Sequence, residues 1–162
     1  MLKLWKNDRS MTPLTTSDLE QLKELALKEH EKFFERNPHL KSAYYYSLIG
    51  ICLCQGAASH YLNPAVGVKD FDVWHFYVEH KEINFPYRAR KRIESGYKGK
   101  PIDFLKRSVS EDVYDSCLGH PEKTIMKYLL GRNTKTKRLL LKKAIVGLFP
   151  NFLFGRVLWK GE

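Results

Sequence analysis

The chain contains 162 residues, of which 43% are hydrophobic and 13% aromatic, a composition too apolar for a disordered protein. No stretch approaches the roughly 18 uninterrupted apolar residues of a membrane-spanning helix. The 28 lysines and arginines outnumber the 18 acidic residues and give a net charge of +10, which favours polyanionic partners. We therefore expect one globular domain over residues 1–162, without membrane association.

The N-terminal segment and the cysteines both indicate the cytoplasm. The N-terminus lacks the apolar run and small-residue cleavage site of a secretory signal. Cys52, Cys54 and Cys117 are an odd number of cysteines, which argues against a disulfide framework. Together with His120 they could be written as a zinc site. Cys52 and Cys54 lie inside an apolar run, however, which favours a place in the core.

The first predicted element is an amphipathic helix. Ser17-x-x-Glu20 has the form of a capping box, and apolar residues follow it at helical spacing. The pattern ends at Asn37-Pro38, because proline cannot continue a helix.

A strand, a short helix and a second strand are predicted next. The apolar and aromatic run 44–54 favours a strand from about Ser47, with the end of a second helix as the alternative. After Gly56, residues 57–62 have the pattern of a short helix. Residues 70–78 form the clearest strand, because they are rich in β-favouring side chains.

The rest of the chain is predicted as a polar, basic region, one short strand and a helical C-terminal part. Gly96 and Gly99 interrupt the basic region, and the short strand covers residues 102–105. Helices are expected over 111–118, 122–130 and 137–148, before an apolar tail that runs to Trp159. We thus predict an α/β (α+β) fold, in which a small mixed β-sheet is flanked by helices.

Three aspartates are the candidate catalytic residues. Asp70 and Asp72 are two apart, so on a strand they project from the same face. Adjacent carboxylates repel each other, and a hard divalent cation such as Mg²⁺ is the usual way to keep both ionised. Asp103 lies in a later strand-like segment, so pairing of the two strands would line one site with three carboxylates.

A candidate phosphate-binding element precedes these acids. Gly56-Ala57-Ala58-Ser59 lies between an apolar run and a helical stretch, where backbone N–H groups can face a phosphate. This order of elements resembles the DNA polymerase β-like nucleotidyltransferase superfamily. Its signature is a strand-ending Gly followed by Gly or Ser, a short helix, an Asp-x-Asp or Asp-x-Glu strand and a third acid on a later strand. The likeness is closest to its minimal members, of antitoxin-like or abortive-infection type.

The resemblance implies a role for each of these residues. Asp70 and Asp72 would bind Mg²⁺ or Mn²⁺, and Asp103 would bind metal or activate the acceptor hydroxyl. Gly56 would form the phosphate turn. Ala57 departs from the second Gly or Ser of the signature, although a hydroxyl follows two positions later.

The nucleotide-binding candidates are therefore Gly56, Ala57 and Ser59. The implied reaction moves a nucleotidyl group from a nucleoside triphosphate (NTP), such as ATP, to a hydroxyl or phosphate of a protein, RNA or small-molecule acceptor. Because Ala57 departs from the signature, a catalytically inactive relative is the alternative.

Basic residues concentrate in two late stretches, 87–107 and 132–143. They could form a solvated face or a phosphate-binding surface. Lys137 and Arg138 are candidates for holding the triphosphate tail or a nucleic-acid acceptor.

Two other hypotheses about function are a nuclease and a nucleic-acid-binding module. Asp72 with Glu79-His80-Lys81 imitates a restriction-like nuclease, but opposite parity on one strand would aim Asp72 and Glu79 at different faces. A basic nucleic-acid-binding module without catalysis would use the cationic and aromatic residues instead. Metal-dependent nucleotide binding distinguishes the enzyme from such a module.

Overall fold

A computed structural model describes residues 12–87 and 89–162. The expectation about an N-terminal signal concerns residues that lie largely outside this part, as does Arg88 of the first basic stretch. The described helices are α1 (Thr16–Arg36), α2 (Pro38–Tyr44), α3 (Gln55–Leu62), α4 (Glu111–Asp115), α5 (Pro121–Leu130) and α6 (Lys135–Leu141). The described strands are β1 (Leu48–Cys54), β2 (Phe71–Val78), β3 (Arg90–Tyr97), β4 (Lys100–Val109), β5 (Ile145–Phe149) and β6 (Val157–Trp159).

The strands form one mixed sheet in the order β3-β4-β2-β1-β5-β6. Strands β2 and β4 are parallel, and every other neighbouring pair is antiparallel. Helices pack on both faces. The predicted α+β class with a small mixed sheet is thus confirmed.

Alternation along β2 assigns its side chains to the two faces of the sheet. Phe71 and Val73 pack in the core that contains α1, whereas Trp74 and Phe76 pack in the core that contains α5 and α6. Strand β1 is buried along almost its whole length, because it is central and covered on both faces.

Helix α1 begins with a different capping box from the predicted one. Thr15 is the N-cap: its hydroxyl accepts a hydrogen bond from the Asp18 backbone N–H at 3.2 Å. The Asp18 carboxylate in turn accepts one from the Thr15 N–H at 2.8 Å. The same spacing of hydroxyl and acid occurs twice in succession, and the upstream copy forms the cap. The helix ends at Arg36, before Pro38, as predicted.

Three assignments made from the sequence were wrong or incomplete. Strand β3 was missed, because its exposed and charged side chains give no apolar alternation. Strand β4 is longer than the predicted 102–105. The predicted helix 137–148 ends at Leu141, and Ile145–Phe149 forms a strand instead. That segment is a short apolar run, in which periodicity alone cannot separate a buried strand from a helix.

None of the helices in the described ranges combines the length and hydropathy needed to cross a bilayer.

Candidate functional site

The parallel pairing of β2 with β4 brings two of the three candidate acids together. Asp72 and Asp103 are direct register partners, so their side chains leave the same face of the sheet side by side. Asp70 lies just ahead of β2 and is half-buried. We call Asp70, Asp72 and Asp103 the acidic cluster.

Asp103 is the member of this cluster whose negative charge is balanced by arginines. It is only 4% exposed, and one oxygen accepts a hydrogen bond from Arg90 Nε at 3.0 Å while the other accepts one from Arg92 at 2.6 Å. Both arginines come from β3, where Arg92 is the register partner of Asp103. Lys106, three residues further along β4, lies on the opposite face and pairs with Glu29 instead.

Asp72 is the uncompensated member. No described cation lies within ion-pair distance of its carboxylate, and burial raises its pKa to about 7. The negative charges of Asp70 and Asp103 contribute to this rise in pKa, while Arg90 and Arg92 oppose it. Among the described cations, Asp70 has a single and distant partner, Arg92 at 3.8 Å. The cluster thus retains an excess of negative charge around Asp72.

The acidic cluster contains the type of ligand that a hard cation prefers, but its three carboxylates are not arranged as a metal site. Carboxylate oxygens are the ligands that Mg²⁺ and Mn²⁺ prefer. Within residues 12–87 and 89–162, however, no group of three histidine, cysteine or acidic side chains has the arrangement of a metal site. Arg92 lies between Asp70 and Asp103 and supplies the positive charge there. Asp70 and Asp72 are thus the residues that could bind a cation, because Asp103 is already paired with the two arginines.

The junction of β1 and α3 lies beside Asp72, since Cys54 at the end of β1 is its register partner. The left-handed residue of this turn is Gln55, with φ of 62°, rather than Gly56. A non-glycine residue in this region is uncommon and is typical of functional turns. Gly56 is the second residue of α3, so its backbone N–H belongs to the first turn, where no partner exists within the helix.

The other two nucleotide-binding candidates serve mainly the fold. The Ala57 side chain is buried in the core beneath α1. The Ser59 hydroxyl accepts a hydrogen bond from the Ala144 backbone N–H at 3.3 Å and so ties α3 to the segment before β5. Only the backbone of Ala57, in the first turn of α3, remains suited to a phosphate.

Sequence reasoning missed Arg90, Arg92 and Gln55. The two arginines are spaced i, i+2, which on a strand places both on the side of Asp103. That alternation is the available signal, but the basic stretch 87–107 predicts only a solvated face or a phosphate-binding surface, not a pairing with Asp103. The conformation of Gln55 has no signal in the sequence.

Cys52 and Cys54 of the zinc-like pattern lie in the core, and Glu79 of the nuclease-like pattern lies away from the acidic cluster. Cys52 and Cys54 are fully buried in the core, as predicted, and burial raises the pKa of both thiols. Glu79 of the nuclease-like pattern is exposed beyond the end of β2. It lies at the opposite end of the strand from Asp72, which removes the basis for that pattern.

No protein-family model, curated protein or solved structure matches the chain. Function is therefore inferred from the acidic cluster and the residues around it.

Proposed function

We propose that this chain is a metal-dependent nucleotidyltransferase, which moves a nucleotidyl group from an NTP to a hydroxyl or phosphate acceptor. One observation carries the proposal: Asp72 lies beside two further carboxylates, half-buried and without an ion-pair partner among the described residues. Such an arrangement destabilises the ionised site until a cation binds.

The parts of the site have separate roles in this proposal. Asp70 and Asp72 hold Mg²⁺ or Mn²⁺, which when bound supplies charge neutralisation for the phosphates and for the leaving pyrophosphate. The first turn of α3, at Gly56 and Ala57, directs backbone N–H groups towards the triphosphate. Asp103 positions Arg90 and Arg92 at the edge of the site. These cations then face the negative charge of the incoming nucleotide.

A second candidate function is a catalytically inactive module of the same fold that binds nucleic acid. The position of Arg92 between Asp70 and Asp103 favours it, because an arginine there can replace a metal ion permanently. The net charge of +10 suits either function.

Thermal unfolding with metal and nucleotide tests the proposal. The unfolding temperature should rise when Mg²⁺ or Mn²⁺ is added together with an NTP, and the rise should exceed that produced by either alone. The Asp70→Asn, Asp72→Asn double variant should lose this rise. If the nucleotide stabilises the parent and the double variant equally, the proposed metal site is wrong.

A matched control separates the site from general charge effects. The Asp112→Asn, Asp115→Asn double variant makes the same charge change on exposed positions of α4. It should keep the full rise with metal and nucleotide.

A further inference from the structure

A second feature lies on the same face of the sheet as the acidic cluster. It is a cleft of about 330 Å³ beyond the far end of β2, between that strand end and the turn leading into α6. The side chains that matter for its chemistry are Tyr87, Arg107, Tyr128, Thr134 and Thr136.

The cleft combines aromatic rings with cations held close to them. Tyr87 is 84% exposed at the rim, and Tyr128 packs edge-on against Phe76 with centroids 6.0 Å apart. Lys137 Nζ lies 4.1 Å from the centre of the Tyr128 ring. The Arg107 guanidinium lies 4.9 Å from the Trp74 ring in the same way.

The charges of the cleft favour an anion. The Lys137 amine donates a hydrogen bond to the neutral side chain of Asn133 at 2.8 Å and forms no ion pair with a described carboxylate. One acid also lines the cleft: Glu79, whose carboxylate is 3.5 Å from the Ser108 hydroxyl. Arg107 lines the cleft and Lys137 lies beside it over the Tyr128 ring, so that two described cations lie near this acid.

The alternation of side chains along β4 places the cleft and the acidic cluster on the same face of the sheet. Asp103 and Arg107 are four residues apart, so they lie on the same face about 13 Å from each other along the strand. Trp74 and Leu105, which are register partners, occupy the position between them. A nucleic-acid strand whose end lies at the acids would thus have the cleft about 13 Å away on the same face of the sheet.

We propose that the cleft binds single-stranded nucleic acid and that this strand is the acceptor of the transfer. Exposed and half-buried rings stack unpaired bases, and the adjacent cations pair with the phosphates between them. An acidic peptide would use the cations but leave the rings without a flat partner. The acceptor role depends on the function proposed above, whereas the binding does not.

The transfer lengthens the strand at its end. A terminal hydroxyl oxygen of the strand forms a bond to the α-phosphorus of the NTP. The bond from that phosphorus to the oxygen bridging the α- and β-phosphates breaks, and pyrophosphate leaves with the electron pair. The proton of the hydroxyl is released to water, and the strand becomes one nucleotide longer.

Binding of labelled 12-mers tests the inference, with fluorescence anisotropy as the measurement. The probes are oligouridine, oligothymidine and a 12-base-pair duplex. At least one single strand should bind more tightly than the duplex, whose bases cannot stack on protein rings. The ratio of the two single strands shows whether RNA or DNA is preferred. Equal or tighter binding of the duplex would overturn the proposal.

Matched variants locate the binding. Tyr87→Ala should weaken binding of the preferred strand at least about 5-fold, the loss expected for one stacked base. Tyr46→Ala removes a tyrosine that is 93% exposed outside the cleft and should leave the affinity unchanged. Lys137→Gln should weaken binding and reduce its salt dependence, whereas Lys123→Gln on the exposed side of α5 should do neither. Equal effects of Tyr87→Ala and Tyr46→Ala would refute the site, as would competition by polyglutamate as strong as that by the unlabelled strand.

Metal-dependent nucleotide stabilisation of the unaltered chain is measured in parallel. If it is absent while binding depends on Tyr87, the enzymatic function fails and the nucleic-acid site stands without an acceptor role. If it is present while binding does not depend on Tyr87 or Lys137, the function stands and the inference fails.

Discussion

Strand β4 carries two buried charged groups, three residues apart, on opposite faces of the sheet. Asp103 belongs to the acidic cluster, and Lys106 faces α1, where its amine lies 2.7 Å from Glu29. Glu29 is also bound by Arg36 at 2.6 Å, so that Glu29, Lys106 and Arg36 form a second group, the Glu29 cluster.

The two clusters differ in how their charges are matched. In the Glu29 cluster the carboxylate has two cationic partners, and these hold its pKa below the usual value although burial raises it. In the acidic cluster, Asp103 pairs with the two arginines, whereas Asp72 has no ion-pair partner among the described cations. Burial, together with the charges of Asp70 and Asp103, raises the pKa of Asp72 to about 7. A buried charge with a counter-charge holds helix α1 against the sheet. A buried charge without one, such as that of Asp72, is typical of a site that binds a ligand.

The largest expected effect comes from breaking the matched cluster. Glu29→Gln leaves Lys106, which is fully buried, without its counter-charge. We expect the free energy of unfolding to fall by about 3–5 kcal/mol, as measured by denaturant titration. As a control, Glu20→Gln on the same helix removes the exposed acid of the pair with Lys23 and should change the free energy of unfolding by less than about 0.5 kcal/mol. Similar losses in the two variants would show that the Glu29 cluster is not a buried anchor.

Neutralising the unmatched cluster should have the opposite sign. Asp70→Asn, Asp72→Asn removes repelling carboxylates and strands only the weak 3.8 Å contact of Asp70 with Arg92. In EDTA at pH 8 the double variant should therefore be more stable than the parent, by about 1–3 kcal/mol. A lower stability in EDTA would show that these acids are structural, and would favour the inactive binding module.

The contrast between the clusters also shows which parts of the site the sequence could predict. The Asp-x-Asp pair and Asp103 were identified because strand alternation is local and readable. Their pairing partners were not, because β3 is an exposed edge strand whose arginines resemble any solvated basic segment. The Glu29 to Lys106 contact joins residues 77 apart in sequence, and no local pattern indicates it.

In the fold, too, elements set by local sequence patterns could be predicted, and an element set by tertiary contacts could not. Strands β1 and β2 and helices α1, α3 and α5 could be predicted from apolar runs and stop signals. Strand β5 could not, because its assignment depends on pairing with β1, a tertiary contact.

The pH dependence of stability should reveal Asp72 directly. Its pKa is higher in the folded chain, at about 7, than the ordinary value of 3.8, so folding favours the protonated form. In EDTA the stabilisation is complete below pH 4 and is lost as the pH rises towards 7. The slope contributed by this group is at most about 1.4 kcal/mol per pH unit.

The Asp72→Asn variant should lack this component of the slope, as measured by denaturant titration from pH 4 to pH 8. Mg²⁺ should act in the reverse sense, binding more tightly as the pH rises through 7, because the ligand must be deprotonated. Identical pH profiles of parent and variant would show that Asp72 titrates normally.

The smallest expected effect comes from Asp103, and it is the sharpest test of the comparison. Asp103→Asn removes the charge-assisted bonds to Arg90 and Arg92, whose side chains are 54% and 36% exposed and so remain partly hydrated. Arg92 also keeps its bond to Glu94 at 2.8 Å. The loss at pH 5 should therefore be about 1 kcal/mol, well below that of Glu29→Gln.

At pH 8 the loss should be smaller still. Asp72 is then ionised in the parent, and removing the charge of Asp103 both relieves repulsion and frees two arginines to neutralise Asp72. Denaturant titration of the Asp103→Asn variant at the two pH values measures this difference. A loss of 3 kcal/mol or more at both pH values, similar to that expected from breaking a buried pair, would mean that Asp103 anchors β3 as Glu29 anchors α1. Asp103 would then be a structural anchor, separate in role from the proposed cation ligands Asp70 and Asp72.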